Sequence, residues 1–493
     1  MTVPAEQAAA AALLARLTGS DAPVETHVSA VFVGRDRVLK LKKAVNLGFL
    51  DFTAPEARRR YAERELELNA PAAPGLYRAV HGIPAGADRL VPADDPRSRE
   101  WVLEMAPFPP EDVLDAVAAA GGITPAMQDA LGDAFAALSA ACPVVPDVDA
   151  PARFAAVLRG NARAALSAGL PAQRVVAWRR AAEATRRRLA PFLARRAGQG
   201  FLRRGHGDLH LGNVVLWTGR PTAFDALEFD EALATIDTGY DLAFLLADLL
   251  RRCGRDAANR VMNRAIARTG DTELVTALPL WLSTRALIRA HCLARLPDAQ
   301  EMAHAFLSDA ESHLGPAPPR IVAIGGLQGT GKTHLARRLA PILGAAPGAL
   351  HLRTDEIRKR LAGLPPETGL PAEAYSPENS ALVHDLLFAQ AESAARAGHA
   401  VVTDATFLNP AMRAGIEASA ARAGVPFTGL WLEAPRDILR ARLDARQGDA
   451  SDATAAVMEA AARVEVGTIT WPRLDAAADP LQAALSLAQL RER

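Results

Sequence analysis

The sequence predicts two domains in series: an α+β part with a small β-rich lobe and a larger helical lobe, then an α/β part built on a parallel sheet. Three observations predict this. An apolar run, Ile321-Val322-Ala323-Ile324, leads into Gly326-Leu327-Gln328-Gly329-Thr330-Gly331-Lys332-Thr333 and then a helical pattern. Further apolar runs at 349–352, 400–403 and 427–432 alternate with helical stretches, as the strands of a sheet covered on both faces do. Between these and everything earlier lies Leu314-Gly315-Pro316-Ala317-Pro318-Pro319-Arg320, whose prolines remove backbone donors and end a helix. Domains are therefore expected at 1–315 and 320–493.

Within the first part, Val28 to Gly34 alternates, Arg35-Asp36 turns, and Val38 to Lys42 alternates again, the pattern of a β-hairpin. A charged helix over 55–69 and a short strand over 101–105 follow, and then Ala/Leu/Arg-rich helices to about residue 200. The small lobe is expected over about 20–100 and the helical lobe over about 101–315.

The bulk composition fits this plan. At 493 residues the chain exceeds what one core organises. Acids and bases balance at 56 each, so no basic field marks a nucleic-acid binder. Cys142, Cys253 and Cys292 are far apart with no CxxC pair, which suits neither a disulfide framework nor a structural zinc site, and a reducing cytoplasm is the expected home. The stretch 1–17 carries Glu6 where a signal peptide has positive charge, and reads as a surface helix. The most apolar run, 242–250, is interrupted by Asp248 and is too short to span a bilayer, so no membrane role is expected.

A strand feeding a Gly-rich turn and a helix makes an anion cradle, because free backbone N–H groups and the positive helix end converge there. Lys332 is expected to reach the β- and γ-phosphates of ATP and the Thr333 hydroxyl to ligate Mg²⁺. Asp355 and Asp404 follow apolar runs, at the sheet edge where open α/β folds bind ligands. One can orient an acceptor hydroxyl and take its proton while the other holds the metal through water; helix capping is the alternative for Asp355. Arg358 lies one helical turn beyond Asp355. Arg442 and Arg446 share a helix face and can close over phosphates, or can be a solvated basic face. The stretch 448–452 is expected to be a mobile turn.

These residues resemble the P-loop kinases that include phage polynucleotide kinase, gluconate kinase and zeta toxins: Gln328 to Thr333, Thr354-Asp355-Glu356-Ile357-Arg358, Val402-Thr403-Asp404-Ala405-Thr406-Phe407 and Arg442-Leu443-Asp444-Ala445-Arg446. The resemblance implies that Asp355 meets the acceptor hydroxyl, with Arg358 beside it, and that the lid arginines Arg442 and Arg446 meet phosphates.

Earlier, His206-Gly207-Asp208-Leu209-His210-Leu211-Gly212-Asn213 resembles the catalytic loop of aminoglycoside phosphotransferases and, more distantly, of protein kinases. The resemblance implies a protein-kinase-like bilobal fold, Asp208 as the residue that orients the acceptor, and Asn213 and Asp225 as metal ligands. It also implies a lysine on the third strand, Lys40 or its neighbour Lys42, paired with Glu65, and a hinge at Glu104-Met105 that receives adenine. Between the hairpin strands there is only Gly34 in place of a Gly-rich loop, and no acidic cluster suits a polycationic antibiotic.

Both halves in this order resemble bacterial proteins described as bifunctional aminoglycoside phosphotransferase/ATP-binding proteins. Gly48-Phe49-Leu50-Asp51-Phe52, Glu65-Leu66-Glu67-Leu68-Asn69 and Ile236 to Phe244 add to that likeness. The implied activity is transfer of the ATP γ-phosphoryl group to hydroxyls of small molecules at two sites, with ATP and Mg²⁺ as cofactors. A C-terminal polynucleotide or nucleoside kinase, and an ATP sensor in which one domain regulates the other, are the rival expectations.

Overall fold

The computed structural model describes residues 2–47, 50–445 and 451–488. They form two compact units, one of Met1–Thr124, Ala137–Ala150 and Leu193–Asp241, the other of Pro125–Ala136, Pro151–Phe192 and Leu242–Arg493.

In the first unit a six-stranded antiparallel sheet runs in the order Val24–Glu25, Ser29–Val33, Val38–Lys42, Ser98–Met105, Tyr77–Pro84, Val91–Pro92. The expected hairpin is present, closed by the Gly34 N–H donating to Arg37 O at 2.9 Å. Strand alternation sorts its residues. Leu39 and Leu41 join Ala30, Phe32 and Val102 in a core beneath Leu13 and Leu14 of the N-terminal helix Ala8–Thr18. Lys40 and Lys42 therefore face the other way, towards the helix Pro55–Asn69.

That helix has the expected bounds, and it buries Arg58, Ala62, Glu65 and Asn69, one stripe at helical spacing. Only one of these is apolar. A polar stripe is stable inside a protein only when each group finds a partner, and here each does. Arg58 donates to Glu100 at 2.9 Å and to the carbonyls of Phe52 and Thr53 at 2.7 Å. Asn69 donates to Glu65 O at 2.8 Å and accepts from the Ala226 N–H at 3.0 Å. After the loop 206–213, the hairpin Val214–Trp217 and Arg220–Ala223 leads to Asp225.

The second unit holds a five-stranded parallel sheet in the order Leu350–Arg353, Val401–Asp404, Ile321–Gly326, Phe427–Glu433, Arg473–Asp475. Four of these strands are the expected ones, displaced by a residue or two, and the last is additional. Val322, Ile324, Leu335, Leu339, Val402, Leu430 and Leu432 form a core on one side of it. Ile321–Gly326 lies between strands from later in the chain, so its carboxyl end opens at the switch point where such sheets bind ligands. This is the sheet of a P-loop NTPase.

Helices from before residue 315 also belong to this unit. Helix Thr238–Thr269 is interrupted at Gly254, and its residues 255–269 lie along the outer edge of the sheet. Asn263 Oδ1 accepts the His351 N–H at 2.8 Å, Asn259 and Asn263 both donate to Ala349 O, at 3.0 and 3.2 Å, and Arg255 donates to the carbonyls of Pro341 and Gly344. The open side of Leu350–Arg353 is thus satisfied by side chains, one of the ways a sheet edge is kept from pairing elsewhere. Among the described residues no helix is long and apolar enough to cross a membrane.

Candidate functional sites

In the second unit, the loop between Ile321–Gly326 and the helix Lys332–Leu339 bends where only glycine fits. Gly326 has φ 139° and a Cβ there would lie 2.4 Å from Leu432 O; Gly329 has φ 84° and a Cβ would meet Leu439 O at 2.8 Å. Thr330 Oγ1 and Lys332 Nζ both donate to Leu327 O, at 2.8 and 2.9 Å, which ties the loop back on itself at the helix start.

A cavity of about 750 Å³ opens from this loop, and its walls include Gln328, Gly329, Gly331, Lys332, Thr333, Asp355, Arg358 and Asp404. Residues far apart in the chain meet there. Asp404 ends its strand buried, accepting from His351 Nε2 at 3.0 Å, with Arg353 Nε 3.6 Å away. Burial alone would raise this carboxyl, but the His351 hydrogen bond and the Arg353 and Lys332 charges hold it below the usual carboxylate range. Asp355 behaves oppositely: burial pushes it up, and the Arg353 charge only partly opposes that. Two carboxyls of one cavity are thereby driven apart in acidity, the arrangement that separates a metal-holding group from a proton acceptor. Asp355 is the second residue of helix Thr354–Leu361, whose N-cap is Arg353, so capping is not its position.

Arg358 lines the same cavity, stacked 4.7 Å from the Tyr375 ring and donating to Ala374 O at 2.7 Å. The sequence reading missed His334, Arg337, Tyr375, His384 and Asp452, which also line it; no local pattern singles them out.

The two expected lid arginines fare differently. Arg442, on helix Arg436–Asp444, does not line the cavity; its Nη2 donates to Ala476 O at 2.9 Å, supplying a backbone carbonyl just past the strand Arg473–Asp475. Arg446 lies outside the described residues, as do 448–450 of the expected mobile turn. At its end Asp452 is held by three donors: Lys359 Nζ at 2.9 Å, Tyr375 Oη at 2.6 Å and the Leu370 N–H at 3.2 Å. Of the loop itself, Gly326, Leu327 and Thr330 do not face the main cavity; Leu327 and Thr330 border a second one of about 410 Å³.

In the first unit the loop 206–213 is pinned from behind. Asp241 accepts the N–H groups of His206 and Gly207, at 2.7 and 3.1 Å, and His206 Nε2 bonds Phe224 O at 2.9 Å. Burial lowers the His206 pKa, which suits a neutral structural imidazole. Asn213 Nδ2 donates to Asp208 O and Oδ2 at 2.9 and 3.0 Å, so its Oδ1 is left as the accepting end. Asp225 has φ 60°, a left-handed conformation that a non-glycine residue holds only under local constraint, and its N–H donates to Tyr77 Oη at 2.9 Å. Asp208 and Asp225 side chains are each 41% exposed, open to a ligand.

Lys40 Nζ lies 2.7 Å from Glu65 and 2.5 Å from Asp225, and Lys42 Nζ reaches Glu65 as well, at 2.8 Å. Both candidate lysines therefore serve the one glutamate. Burial would raise Glu65, but the two lysines hold it down to about 2. Glu228, beside Lys42, was not anticipated, and neither was Asp241; each acts through a partner remote in sequence. Met105 is the last residue of its strand, buried, with Val38 and Tyr77 opposite it on either side, and the next N–H, of Ala106, is taken by Leu76 O. Glu104 accepts from His81 Nε2 at 2.7 Å.

No group of three or more His, Cys, Asp or Glu side chains among the described residues is placed to hold a metal. The donors present, Asn213 with Asp225 and Thr333 with Asp404, are all oxygen, and two protein ligands completed by phosphate oxygens and water suit Mg²⁺.

Known proteins resemble the chain in whole and in part. Uncharacterized proteins of Mycobacterium tuberculosis and Mycobacterium bovis are each 29% identical to it over 470 residues, 92% of either chain. A choline/ethanolamine kinase family protein from Mesorhizobium loti aligns at 14% identity over 62% of this chain and 93% of its own, with a TM-score of 0.37. A gluconokinase from Sinorhizobium meliloti aligns at 21% identity over 36% of this chain and 95% of its own, with a TM-score of 0.25. Residues 321–465, which contain the phosphate loop, Asp355 and Asp404, match the family model described as an AAA domain. Residues 321–465 thus form a P-loop domain that matches that description.

Proposed function

We propose that the chain is an ATP-dependent phosphotransferase with two kinase-type sites, each transferring the γ-phosphoryl group of ATP to a hydroxyl of a small molecule. The observation that supports it most is the cavity in which Lys332 and Thr333 share walls with Asp355 and Asp404. We assign the first site to residues 1–315 and the second to 320–493, a division by chemistry that the compact units cross.

At the second site the loop N–H groups and Lys332 hold the β- and γ-phosphates. Thr333 and Asp404 would hold Mg²⁺, which supplies neutralisation of charge on the transferring group. Asp355 orients the acceptor: the hydroxyl oxygen bonds to the γ-phosphorus, the bond to the β–γ bridging oxygen breaks, ADP keeps that electron pair, and the proton goes to Asp355. A carboxyl raised by burial holds that proton better than an exposed one. Arg358 positions the acceptor beside it. At the first site Asp208 has the orienting role, Lys40 meets phosphates, and Asn213 and Asp225 would hold the metal. Catalysis at both is positioning and charge neutralisation.

The test is incubation of the full chain with ATP, Mg²⁺ and a metabolite extract, followed by mass spectrometry for species that gain a phosphoryl group. Such species should appear with the wild type and vanish with the Lys332→Ala/Asp225→Ala double variant. Their absence from the wild type, with no ATP bound in equilibrium titration, would overturn the assignment.

A further inference from the structure

The first unit carries more charge beside its candidate nucleotide site than one lysine–glutamate pair supplies. Glu65 divides its oxygens: Oε1 accepts from Lys40 Nζ at 2.7 Å and Oε2 from Lys42 Nζ at 2.8 Å. Each lysine then has a second acid, Asp225 for Lys40 and Glu228 for Lys42. The two halves of the cluster differ in access. Lys42 and Glu228 side chains are 2% and 8% exposed, whereas Lys40 and Asp225 are 14% and 41% exposed. Lys42 is also covered by Phe52, whose ring centroid is 5.4 Å from Nζ.

A carboxylate as buried as Glu65 needs a counter-charge at all times, because a lone buried charge is strongly destabilising. Were Lys40 its only partner, drawing that lysine towards phosphates would strip Glu65 of neutralisation. The second lysine removes the conflict. Asp225, meanwhile, is occupied by an ammonium group in the very position where a divalent cation would compete for its carboxylate.

We propose that the two lysines have separate roles. Lys42, fixed by Glu228, is the permanent counter-ion of Glu65, and Lys40 is the exchangeable cation that leaves Asp225 for nucleotide phosphates and so yields Asp225 to a divalent cation. Lys42 and Glu228 are positioning residues. The proposal rests on the reading of this unit as a nucleotide site, and it links metal entry to nucleotide entry through one ammonium group.

The test uses the full chain carrying Lys332→Ala to silence the other phosphate cradle, with Lys40→Met, Lys42→Met or Glu228→Gln added. Mn²⁺ alone is titrated by electron paramagnetic resonance, ATP binding by calorimetry, and stability by thermal denaturation. Lys40→Met should tighten nucleotide-free Mn²⁺ binding about tenfold, ~1.4 kcal/mol, abolish ATP binding in this unit, and lower Tm less than half as much as Lys42→Met. Adding Asp225→Ala to Lys40→Met should erase the gain in Mn²⁺ affinity. Lys42→Met should lower Tm by on the order of 10 °C. Should that chain fail to fold, Glu228→Gln still decides, since it should lower Tm while leaving ATP binding in place. Equal Tm losses for the two lysine variants, unchanged Mn²⁺ affinity in Lys40→Met, or loss of ATP binding in Glu228→Gln without a change in Tm would each overturn the division. If the Lys332→Ala chain binds no ATP, the nucleotide reading of the unit falls, while the Mn²⁺ shift and the order of Tm values still judge the lysines.

Discussion

Replacing Asn263 by alanine should destabilise the second unit from a position outside the P-loop segment itself. Asn263 Oδ1 is the acceptor for the His351 N–H at 2.8 Å, and its Nδ2 shares Ala349 O with Asn259. The substitution leaves Ala349 O satisfied by Asn259 and orphans the N–H of His351, a residue only 8% exposed. One buried, unpaired donor costs about 1–3 kcal/mol. His351 also donates to Asp404 at 3.0 Å, so the loss extends to the cavity wall. Asn263→Asp, which restores an acceptor but brings its charge towards Ala349 O, should recover part of the loss. Denaturant titration gives the free energy, and hydrogen exchange followed at the His351 amide gives the site. Unchanged stability together with an equally protected His351 amide would refute the view that this side chain completes the sheet edge.

If both proposed sites bind nucleotide, Lys332→Ala should remove one of two ATP sites in equilibrium titration, Asp225→Ala the other, and the double variant both, because the residues proposed for each are drawn from separate segments. Asp355→Asn should leave ATP affinity within about threefold while lowering turnover about 10²- to 10⁴-fold, the span of a lost general base; single-turnover kinetics separates the two effects. Glu65 has a folded pKa of about 2 against 4.5 ordinarily, so its contribution to stability is complete above roughly pH 4.5 and is lost as pH falls towards 2. Acid titration of Tm should show that slope in the wild type and a shallower one in Glu65→Gln. A fragment beginning at residue 320 lacks Arg255, Asn259 and Asn263, and should therefore aggregate or melt lower than the same sheet in the full chain, measured by light scattering during thermal denaturation.

What could be read from the sequence was whatever is encoded within a few consecutive residues. The run Ile321 to Thr333 specifies strand, turn and helix start together, and the spacing of Asp208 and Asn213 is legible because the bonds between them are local, whereas Asp225 is held by Tyr77 and Lys40 from far away in the chain. Asp241 and Glu228 were not readable as site residues, since their importance lies in what they touch, the backbone of His206 and Gly207 and the ammonium of Lys42. Arg442 and Arg446 shared a helix face that suited either a phosphate lid or a solvated surface, and helical spacing states only which residues share a face; where Arg442 turns, to the carbonyl of Ala476, depends on a partner 34 residues away. The domain edge placed at the proline-rich segment could not register Asn259 and Asn263, whose hydrogen-bond partners lie about 90 residues further on.

The polar stripe of helix Pro55–Asn69 bears on how the chain is made. An amphipathic helix with an apolar stripe can settle on its neighbouring strands as soon as both have left the ribosome, whereas this one carries Glu65 and Asn69 on its inner face. Asn69 accepts the N–H of Ala226, 157 residues later, and the Lys42 that neutralises Glu65 is itself completed by Glu228, 186 residues later. At a synthesis rate of roughly 5–20 residues per second, the helix waits on the order of ten seconds or more for its last partners. During that interval its charges are best left in water, so the small lobe should emerge as a sheet with a loosely held helix and become resistant to protease only once nascent chains extend past the segment 225–228.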